Sequence, residues 1–277
     1  MTLEDRKALQ RWEEHHKALA ADVPVEDWMS KRDIEKRRTL LEKDPIAWIQ
    51  YFFPKYAKYD FAPFHVKAIL RVIEHLEWYE VLSWSRELAK STVAMFILMF
   101  LALTGRKKFI VLASATIEAA VRLLTPYRLN FESNPRLRQF YGNQVTLGAW
   151  TDKDFTARCG AKFVALGAGS APRGARNEEV RPDVIYLDDY DTDEDCRNPE
   201  TLKKKWDWFE GALYPTRSIS EPTLVLWCGN IIAKDCCIKR AGERAKHWDI
   251  VNIRDKNGKS TWPQKNTEEQ IDTVLAN

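Results

Sequence analysis

Short apolar runs alternate with amphipathic segments along most of the chain, beginning at Ile46. Strands that are buried on both faces read as continuous apolar runs, so each such run between polar or turn residues predicts a strand. The pattern therefore predicts an α/β fold with a mostly parallel central sheet covered by helices on both faces. The predicted strands are Glu80–Trp84, Lys107–Ser114, Val184–Leu187, Thr223–Cys228 and Trp248–Ile253, with a hairpin formed by Phe155–Arg158 and Lys162–Leu166.

Three segments have the length and the apolar spacing of helices, namely Ser91–Leu103, Ile117–Phe131 and Pro199–Leu213. The second contains Pro126, which is expected to kink or split it. The longest apolar run, residues 93–103, has eleven residues by count. A membrane span needs about 20 residues, so this run predicts a buried helix.

Residues 1–44 are dense in charges of alternating sign, and helical spacing predicts one or two surface helices before a break at Asp44 and Pro45. We therefore divide the chain into an N-terminal helical segment (1–44), a central domain (45–255) and the start of a linker (256–277). The first residues lack the features of a signal peptide.

Composition narrows the function only slightly. The chain has 277 residues and a net charge of +3, so any contact with nucleic acid must come from a local basic patch. The five cysteines show neither a C-x-x-C motif nor a paired histidine spacing. A zinc site or a disulfide framework is therefore not expected, and a reducing compartment fits this pattern.

The most informative stretch is residues 83–92, which lie between a predicted strand and a predicted helix. A loop there opens onto the N-terminal end of the helix, where backbone N–H groups bind phosphate. Lys90 would add a charge for the β- and γ-phosphates, and Ser91 a hydroxyl for Mg²⁺. The match to G-x-x-x-x-G-K-[ST] is incomplete because neither glycine is present, and a lysine and serine before a helix are common without nucleotide.

A second motif is the apolar strand Val184–Leu187, which ends in Asp188 and Asp189. In an NTPase, the first carboxylate would bind Mg²⁺ and the second would orient or deprotonate the attacking water. The spacing from Lys90 leaves room for an intervening strand, which we expect to be residues 107–114. Two alternatives are a solvated acidic loop and a Ca²⁺ loop, although the latter lacks its required glycine at Glu194.

Three further motifs suggest contacts with a nucleotide. Asn230 follows a predicted strand and could sense a γ-phosphate, although a simple Gly-Asn turn explains the same residues. Phe64 and His65, in the first turn of a predicted helix, could pack against and hydrogen-bond an adenine. Arg173 and Arg176, in a loop before the carboxylate strand, could neutralise a transferring phosphoryl group, with solvated arginines as the alternative.

With these motifs in order over about residues 45–265, the chain resembles the ATPase domain of the tailed-phage large terminase subunit. Asp189 stands where that family usually has glutamate. The resemblance is carried by Ala62–His65, Arg86–Ser91, Ser114–Thr116, Ala119 and Ala120, Arg173 and Gly174, Arg181–Asp183, Asp188 and Asp189, Trp208 and Phe209, Leu213 and Pro215, Gly229 and Asn230, Asp235, and Trp262 and Pro263.

The resemblance implies a P-loop NTPase fold of the ASCE type and a role for each matching residue. Asp188 and Ser91 would bind Mg²⁺, and Asn230 would couple hydrolysis to movement. The implied catalytic residues are Asp189, Lys90, Arg86, Arg173 and Arg176, with one of the last two acting as an arginine finger from a neighbouring subunit. The implied ATP-binding residues are Phe64, His65, Ser85, Arg86, Glu87, Leu88, Ala89, Lys90, Ser91, Thr92 and Asn230.

The resemblance also implies partners: double-stranded DNA bound without sequence preference, the portal protein of the procapsid, and the small terminase subunit. It implies a ring of identical subunits that are monomers alone, in the host cytoplasm and transiently at the portal vertex. A nuclease is not expected in this chain. A helicase-like NTPase and a non-hydrolysing nucleotide-binding module remain alternatives. Basic residues that could grip DNA are Arg106, Lys107, Lys108, Arg122, Arg128, Arg136, Arg138 and Lys203–Lys205.

Overall fold

A computed structural model describes residues 14, 23–26, 28–172 and 180–276. Among these residues, seven strands form one sheet in the order β3-β4-β2-β5-β6-β1-β7. Every neighbouring pair is parallel except β3 and β4, which form the predicted antiparallel pair. The strands are β1 (Trp78–Trp84), β2 (Phe109–Ser114), β3 (Asp154–Thr156), β4 (Lys162–Gly167), β5 (Val184–Asp188), β6 (Leu224–Cys228) and β7 (His247–Val251).

Helices connect the strands, and the described part of residues 1–44 contains the first of them. They are α1 (Lys31–Leu41), α2 (Pro45–Phe52), α3 (Pro63–Glu74), α4 (Lys90–Leu103), α5 (Ile117–Ser133), α6 (Pro135–Tyr141), α7 (Asp193–Arg197), α8 (Pro199–Trp208), α9 (Cys237–Arg244) and α10 (Glu268–Leu275). A π-helical turn, Phe209–Leu213, and a 3-10 turn, Tyr214–Thr216, continue α8. Within the described residues, no helix combines the length and apolarity needed to cross a bilayer.

Apolar side chains cover both faces of the sheet, which confirms the predicted α/β architecture. On one face, helices α2 to α5 pack aromatic residues such as Trp48 and Phe96 against strand residues such as Leu82. On the other face, α8 and α9 pack Trp206 and Ile238 among alternate residues of the same strands. Alternation of this kind follows from the pleat of a strand, because successive side chains point to opposite faces.

One local expectation needs correction and another is confirmed. Pro126 does not split α5, which runs as one helix from Ile117 to Ser133 with Leu124 and Tyr127, on either side of the proline, buried in one core. The break expected at Asp44 and Pro45 is confirmed, because α1 ends at Leu41 and α2 begins at Pro45. The Asp44 carboxylate accepts from the N–H groups of Ile46 and Ala47, both at 3.1 Å, and thereby caps the helix.

The strand order also corrects the predicted position of the intervening strand. Strand β6 lies between β1 and β5 and pairs with both. Residues 107–114, which we expected there, form β2 on the far side of β5. An extra strand between the phosphate loop and the carboxylates is therefore present, but it comes later in the sequence.

A buried ion pair fastens helix α3 to the edge of the sheet. The side chain of Glu80 on β1 is fully buried, and both of its oxygens lie 3.1 Å from Arg71 Nε. Trp78 Nε1 donates to the same carboxylate at 2.6 Å, and Asp249 on β7 lies 3.4 Å from Arg71. A buried carboxylate is tolerated only when it is paired in this way.

We expect Arg71→Met to lower the free energy of unfolding by about 3 kcal/mol, because it leaves the Glu80 charge buried without its partner. Arg240→Met, which removes a more exposed pair with Asp235, should lower it by at most about 1 kcal/mol. Urea unfolding of both variants measures the difference. Equal losses would show that the Arg71–Glu80 pair is no more important than a surface pair.

Candidate active site

The carboxyl ends of β1, β5 and β6 meet at one edge of the sheet, because the three strands are adjacent and parallel. A cavity of about 630 Å³ opens at this edge. Such crevices beyond the carboxyl ends of parallel strands are where α/β folds bind ligands. The cavity is lined by residues from three of the five predicted motifs, including Arg86, Lys90, Ser91, Thr92, Asp189 and Asn230.

The loop between β1 and α4, where the sequence predicts phosphate binding, contains two left-handed residues although it contains no glycine. Glu87 and Ala89 adopt left-handed backbone conformations, with φ of 68° and 59°. Ala89 directly precedes α4 and takes the position of the helix cap. Leu88 between them is fully buried in the core. The backbone therefore turns as a glycine loop would, at a cost of about 1 kcal/mol for each left-handed residue.

Lys90 connects the phosphate loop to β6. Its Nζ donates to Trp84 O at 2.6 Å and to Asn230 Oδ1 at 3.0 Å. The residue is only 9% exposed. Burial lowers the pKa of Lys90, and the nearby acids Asp188 and Asp189 oppose that shift. The three predicted motifs thus meet at this ammonium group.

The two carboxylates at the end of β5 differ in environment. Asp188 is buried, and the hydroxyl of Tyr186 donates to its Oδ2 at 2.7 Å. Burial raises the pKa of Asp188 to about 6, although hydrogen bonds from Ser91 and Tyr186 oppose the shift. Asp189 is exposed and faces the cavity, with a left-handed φ of 43°.

The donor set suits Mg²⁺, which prefers hard oxygen ligands. Ser91 offers a hydroxyl and lies in hydrogen-bonding contact with the Asp188 carboxylate. A divalent cation beside Asp188 would favour the ionised form that burial disfavours. The residues present therefore fit the metal that the sequence motifs imply, with Ser91 and Asp188 as its protein ligands.

Ser114 is a supporting residue whose role the sequence did not reveal. Its Oγ donates to Asp188 O at 2.8 Å and lies 3.4 Å from Asp189 O. It holds the backbone where β5 ends and the chain turns into the cavity. The sequence feature that could have indicated this role is a small polar residue at the end of the neighbouring strand, β2, but this feature is common.

His65 is not placed to hydrogen-bond an adenine, which corrects our expectation. Its ring is fully buried. Nδ1 accepts from the Ala62 N–H at 3.1 Å, and Nε2 donates to Leu88 O at 3.0 Å. Both nitrogens are therefore used within the chain, and His65 ties α3 to the phosphate loop. Phe64 remains half-buried and packs edge-on against Trp84, with ring centroids 4.9 Å apart.

The acidic loop after Asp189 does not form a Ca²⁺ loop. The carboxylate of Asp191 accepts from the N–H groups of Cys237 and Ile238, at 2.9 and 2.8 Å, where α9 begins. Asp195 binds Lys205 Nζ at 2.6 Å. These acids stabilise the scaffold beside the cavity.

Several basic residues that we considered for DNA contact have structural roles instead. Lys107 Nζ donates to Leu76 O and Pro222 O, Arg136 donates to Pro24 O and Tyr51 O, and Lys205 binds Asp195. Lys203 and Lys204 on α8 are exposed. Arg173 and Arg176 lie outside the described residues.

Sequence reasoning also missed Lys265 as a residue of the site. It lines the cavity, and its Nζ donates to both O and Oε2 of Glu87 at 2.8 Å. The hydrogen bond and charge of Lys265 lower the pKa of Glu87. Nothing in the local sequence indicates this contact, since the two residues are far apart in the chain.

We expect Ala89→Gly to raise the free energy of unfolding by about 0.5 to 1 kcal/mol, because glycine adopts the left-handed conformation without steric cost. Ala119→Gly, inside α5, is the matched control and should lower it by about 1 kcal/mol. Denaturant titration of both variants gives the comparison. A loss of stability in Ala89→Gly would contradict the loop conformation described above.

The pKa of His65 should make stability depend on pH. Burial lowers this pKa from 6.5 to about 4, so the unfolded chain takes up a proton in this range and the folded chain does not. Stability from this group is complete above pH 6.5 and is lost as the pH falls toward 4. The total loss is about 3 kcal/mol.

His65→Gln removes the titrating group while keeping a donor and an acceptor. The difference in unfolding free energy between wild type and His65→Gln, measured by urea titration from pH 7 to 4.5, should therefore shift steadily in favour of the variant. Other titrating groups cancel in this difference. A difference that does not change with pH would show that His65 is not buried as a neutral ring.

The sequence matches no protein-family model, and no curated protein sequence matches it. Among solved structures, the fold is similar to the HK97 bacteriophage large terminase, with a TM-score of 0.55 and 17% identity over 78% of this chain and 44% of that chain. It is also similar to Mss116p, solved bound to ssRNA and AMP-PNP, with a TM-score of 0.51 and 14% identity over 80% of this chain and 46% of that one.

The ATPase domain of the Thermus phage P74-26 large terminase gives a TM-score of 0.45 and 14% identity, over 82% of this chain and 90% of that domain. The fold assignment depends on the first two structures. This chain spans less than half the length of either. The chain therefore has an α/β fold similar to that of these two proteins, and its predicted resemblance to a phage large terminase is confirmed at the level of the fold.

Proposed function

We propose that this chain is the ATP-hydrolysing motor domain of a viral DNA-packaging terminase. The observation that carries the proposal is the convergence of Lys90, Asn230 and Asp189 at one cavity, with Asp188 buried close enough to act on the charge of Lys90. A phosphate-binding cation, a metal-binding carboxylate and a second carboxylate for water are the set that phosphoanhydride hydrolysis requires.

Each residue has a task in this chemistry. The backbone of the loop and Lys90 would hold the phosphates, with Arg86 and Thr92 at the cavity wall. Ser91 and Asp188 would hold Mg²⁺, which would neutralise phosphate charge. Asp189 orients a water and accepts its proton as the water oxygen attacks the γ-phosphorus. The bond from the γ-phosphorus to the bridging oxygen breaks, and ADP and phosphate leave.

Asn230 is the residue that couples this site to the rest of the domain in our proposal. In the structure its Oδ1 accepts from Lys90 Nζ. If a γ-phosphate bound Lys90, it would compete with Asn230 for the lysine ammonium group. Loss of the Lys90–Asn230 bond would alter β6, the strand that lies between β1 and β5. Hydrolysis would restore this bond, so β6 would have one state with the γ-phosphate and another without it.

The remaining parts of the motor follow from the resemblance and are part of the proposal. The chain would act in a ring of identical subunits at the portal vertex of a procapsid in the host cytoplasm. It would move double-stranded DNA and contact the portal and the small terminase subunit. Arg173 or Arg176 of a neighbouring subunit would complete each ATP site, and exposed lysines such as Lys203 and Lys204 would contact DNA phosphates.

A helicase-like NTPase is the second candidate, favoured by the fold similarity to Mss116p. The two candidates differ in the nucleic acid that stimulates hydrolysis. A packaging motor is stimulated by double-stranded DNA and does not separate its strands. A helicase is stimulated by single strands and displaces one strand of a duplex.

We expect purified protein, concentrated and supplied with Mg²⁺ and double-stranded DNA, to release phosphate from ATP. Asp189→Asn should reduce this rate about 10² to 10⁴-fold, the range for loss of a general base, and leave the Kd for ATP within a few-fold. Lys90→Ala should weaken ATP binding itself, because it removes a charge-assisted contact. Glu194→Gln, in the acidic helix α7 that follows Asp189 but not at the cavity wall, is the control and should resemble wild type.

Three outcomes would change the assignment. ATP binding without turnover at any protein concentration, with or without DNA, would identify a non-hydrolysing module. Stimulation by single strands together with strand displacement would identify a helicase. Full activity in Asp189→Asn would show that another group activates the water.

A further inference from the structure

Residues 260–266, which we call the C-terminal clasp, lie against the nucleotide cavity. Trp262 is 5% exposed, and its ring centroid lies 4.5 Å from that of His65. Its Nε1 donates to Asp60 O at 2.8 Å. The clasp is therefore anchored beside α3, and this anchor holds the residues that follow Trp262 at the edge of the phosphate loop.

Lys265 extends from the clasp to the phosphate loop. Its Nζ donates at 2.8 Å to the backbone oxygen and to Oε2 of Glu87. The Lys265 side chain is 25% exposed and lines the cavity, whereas the Glu87 side chain is 74% exposed. The ammonium group is thus fixed at the cavity by the loop backbone, and its other partner is a largely solvated carboxylate.

The two partners available to Lys265 differ in strength. A solvent-exposed ion pair with a carboxylate is weak, because water screens the two charges. Charge-assisted hydrogen bonds to phosphate oxygens are stronger. ATP carries several negative charges, so its phosphates compete effectively with one carboxylate at the rim of the same cavity.

We propose that Lys265 is a nucleotide-binding residue, and that phosphate oxygens of bound ATP replace the Glu87 carboxylate as its partner. This inference rests on the proposed function, since it assumes that the cavity takes a nucleoside triphosphate. Glu87 then has two opposing effects. Its backbone oxygen positions Lys265, while its carboxylate competes with ATP and adds a negative charge where a polyanion binds.

The proposal predicts that substitutions of Lys265 and of Glu87, the two members of one ion pair, change the Kd for ATP in opposite directions. Lys265→Met removes a phosphate contact and should raise the Kd for ATP about 10-fold, which corresponds to about 1.4 kcal/mol. Glu87→Gln removes the competitor and should lower the Kd about 3-fold. Lys265→Arg should stay within about 3-fold of wild type because it keeps the charge.

The experiment is calorimetric titration of ATP with Mg²⁺ into each purified variant, together with thermal unfolding of each. Lys256→Met, an exposed lysine that does not line the cavity, is the matched control and should bind as wild type does. The double variant Lys265→Met, Glu87→Gln should bind ATP more weakly than Glu87→Gln, because it lacks the phosphate contact. It should gain over Lys265→Met only the small effect of removing the Glu87 negative charge from the cavity.

A purely structural clasp predicts a different result. Both single variants lose the same ion pair, so both would weaken ATP binding and lower Tm to a similar extent. That result, or a Lys265→Met variant with unchanged affinity, would overturn the inference while leaving the proposed function intact. A wild-type chain that binds no ATP would overturn the proposed function, and this inference with it.

Discussion

The buried ammonium group of Lys90 is the constraint on which the site depends. A cation with so little exposure is stable only where several oxygens surround it. Trp84 O at the end of β1 and Asn230 Oδ1 after β6 supply these contacts, and the carboxylates of β5 supply the opposing charge. These groups reach Lys90 together only when the three strands are adjacent and parallel. The order of the strands in the sheet therefore determines the chemistry of the cavity.

The sequence predicted the type of most elements but not their arrangement. Runs such as Val184–Leu187 and Phe109–Ala113 are apolar on both faces, so each identifies a buried strand with equal clarity. For the same reason they carry no information about which strand lies next to which. The choice of residues 107–114 as the intervening strand was therefore wrong. The strand that lies there, β6, follows Asp188 in the sequence, so the spacing of Lys90 and Asp188 carries no information about it.

Side chains of the site were predicted where the backbone alone sets their position. Lys90, Ser91 and Asp189 immediately follow their loop or strand, so they reach the cavity once the fold is correct. His65 and Lys265 differ because their partners, Leu88 and Glu87, are distant in sequence. Local sequence patterns show that a polar residue is present, but they do not show which distant residue it contacts. This explains both the error at His65 and the omission of Lys265.

These two distant contacts also explain how a loop without glycine can hold two residues in left-handed conformations. Left-handed conformations at Glu87 and Ala89 persist only if surrounding contacts over-determine them. Leu88 is buried in the core, its carbonyl accepts from His65, and the carbonyl of Glu87 accepts from Lys265. Contacts from α3 and from the C-terminal clasp thus stabilise backbone conformations that glycine adopts without strain. The missing glycines are therefore no argument against phosphate binding here.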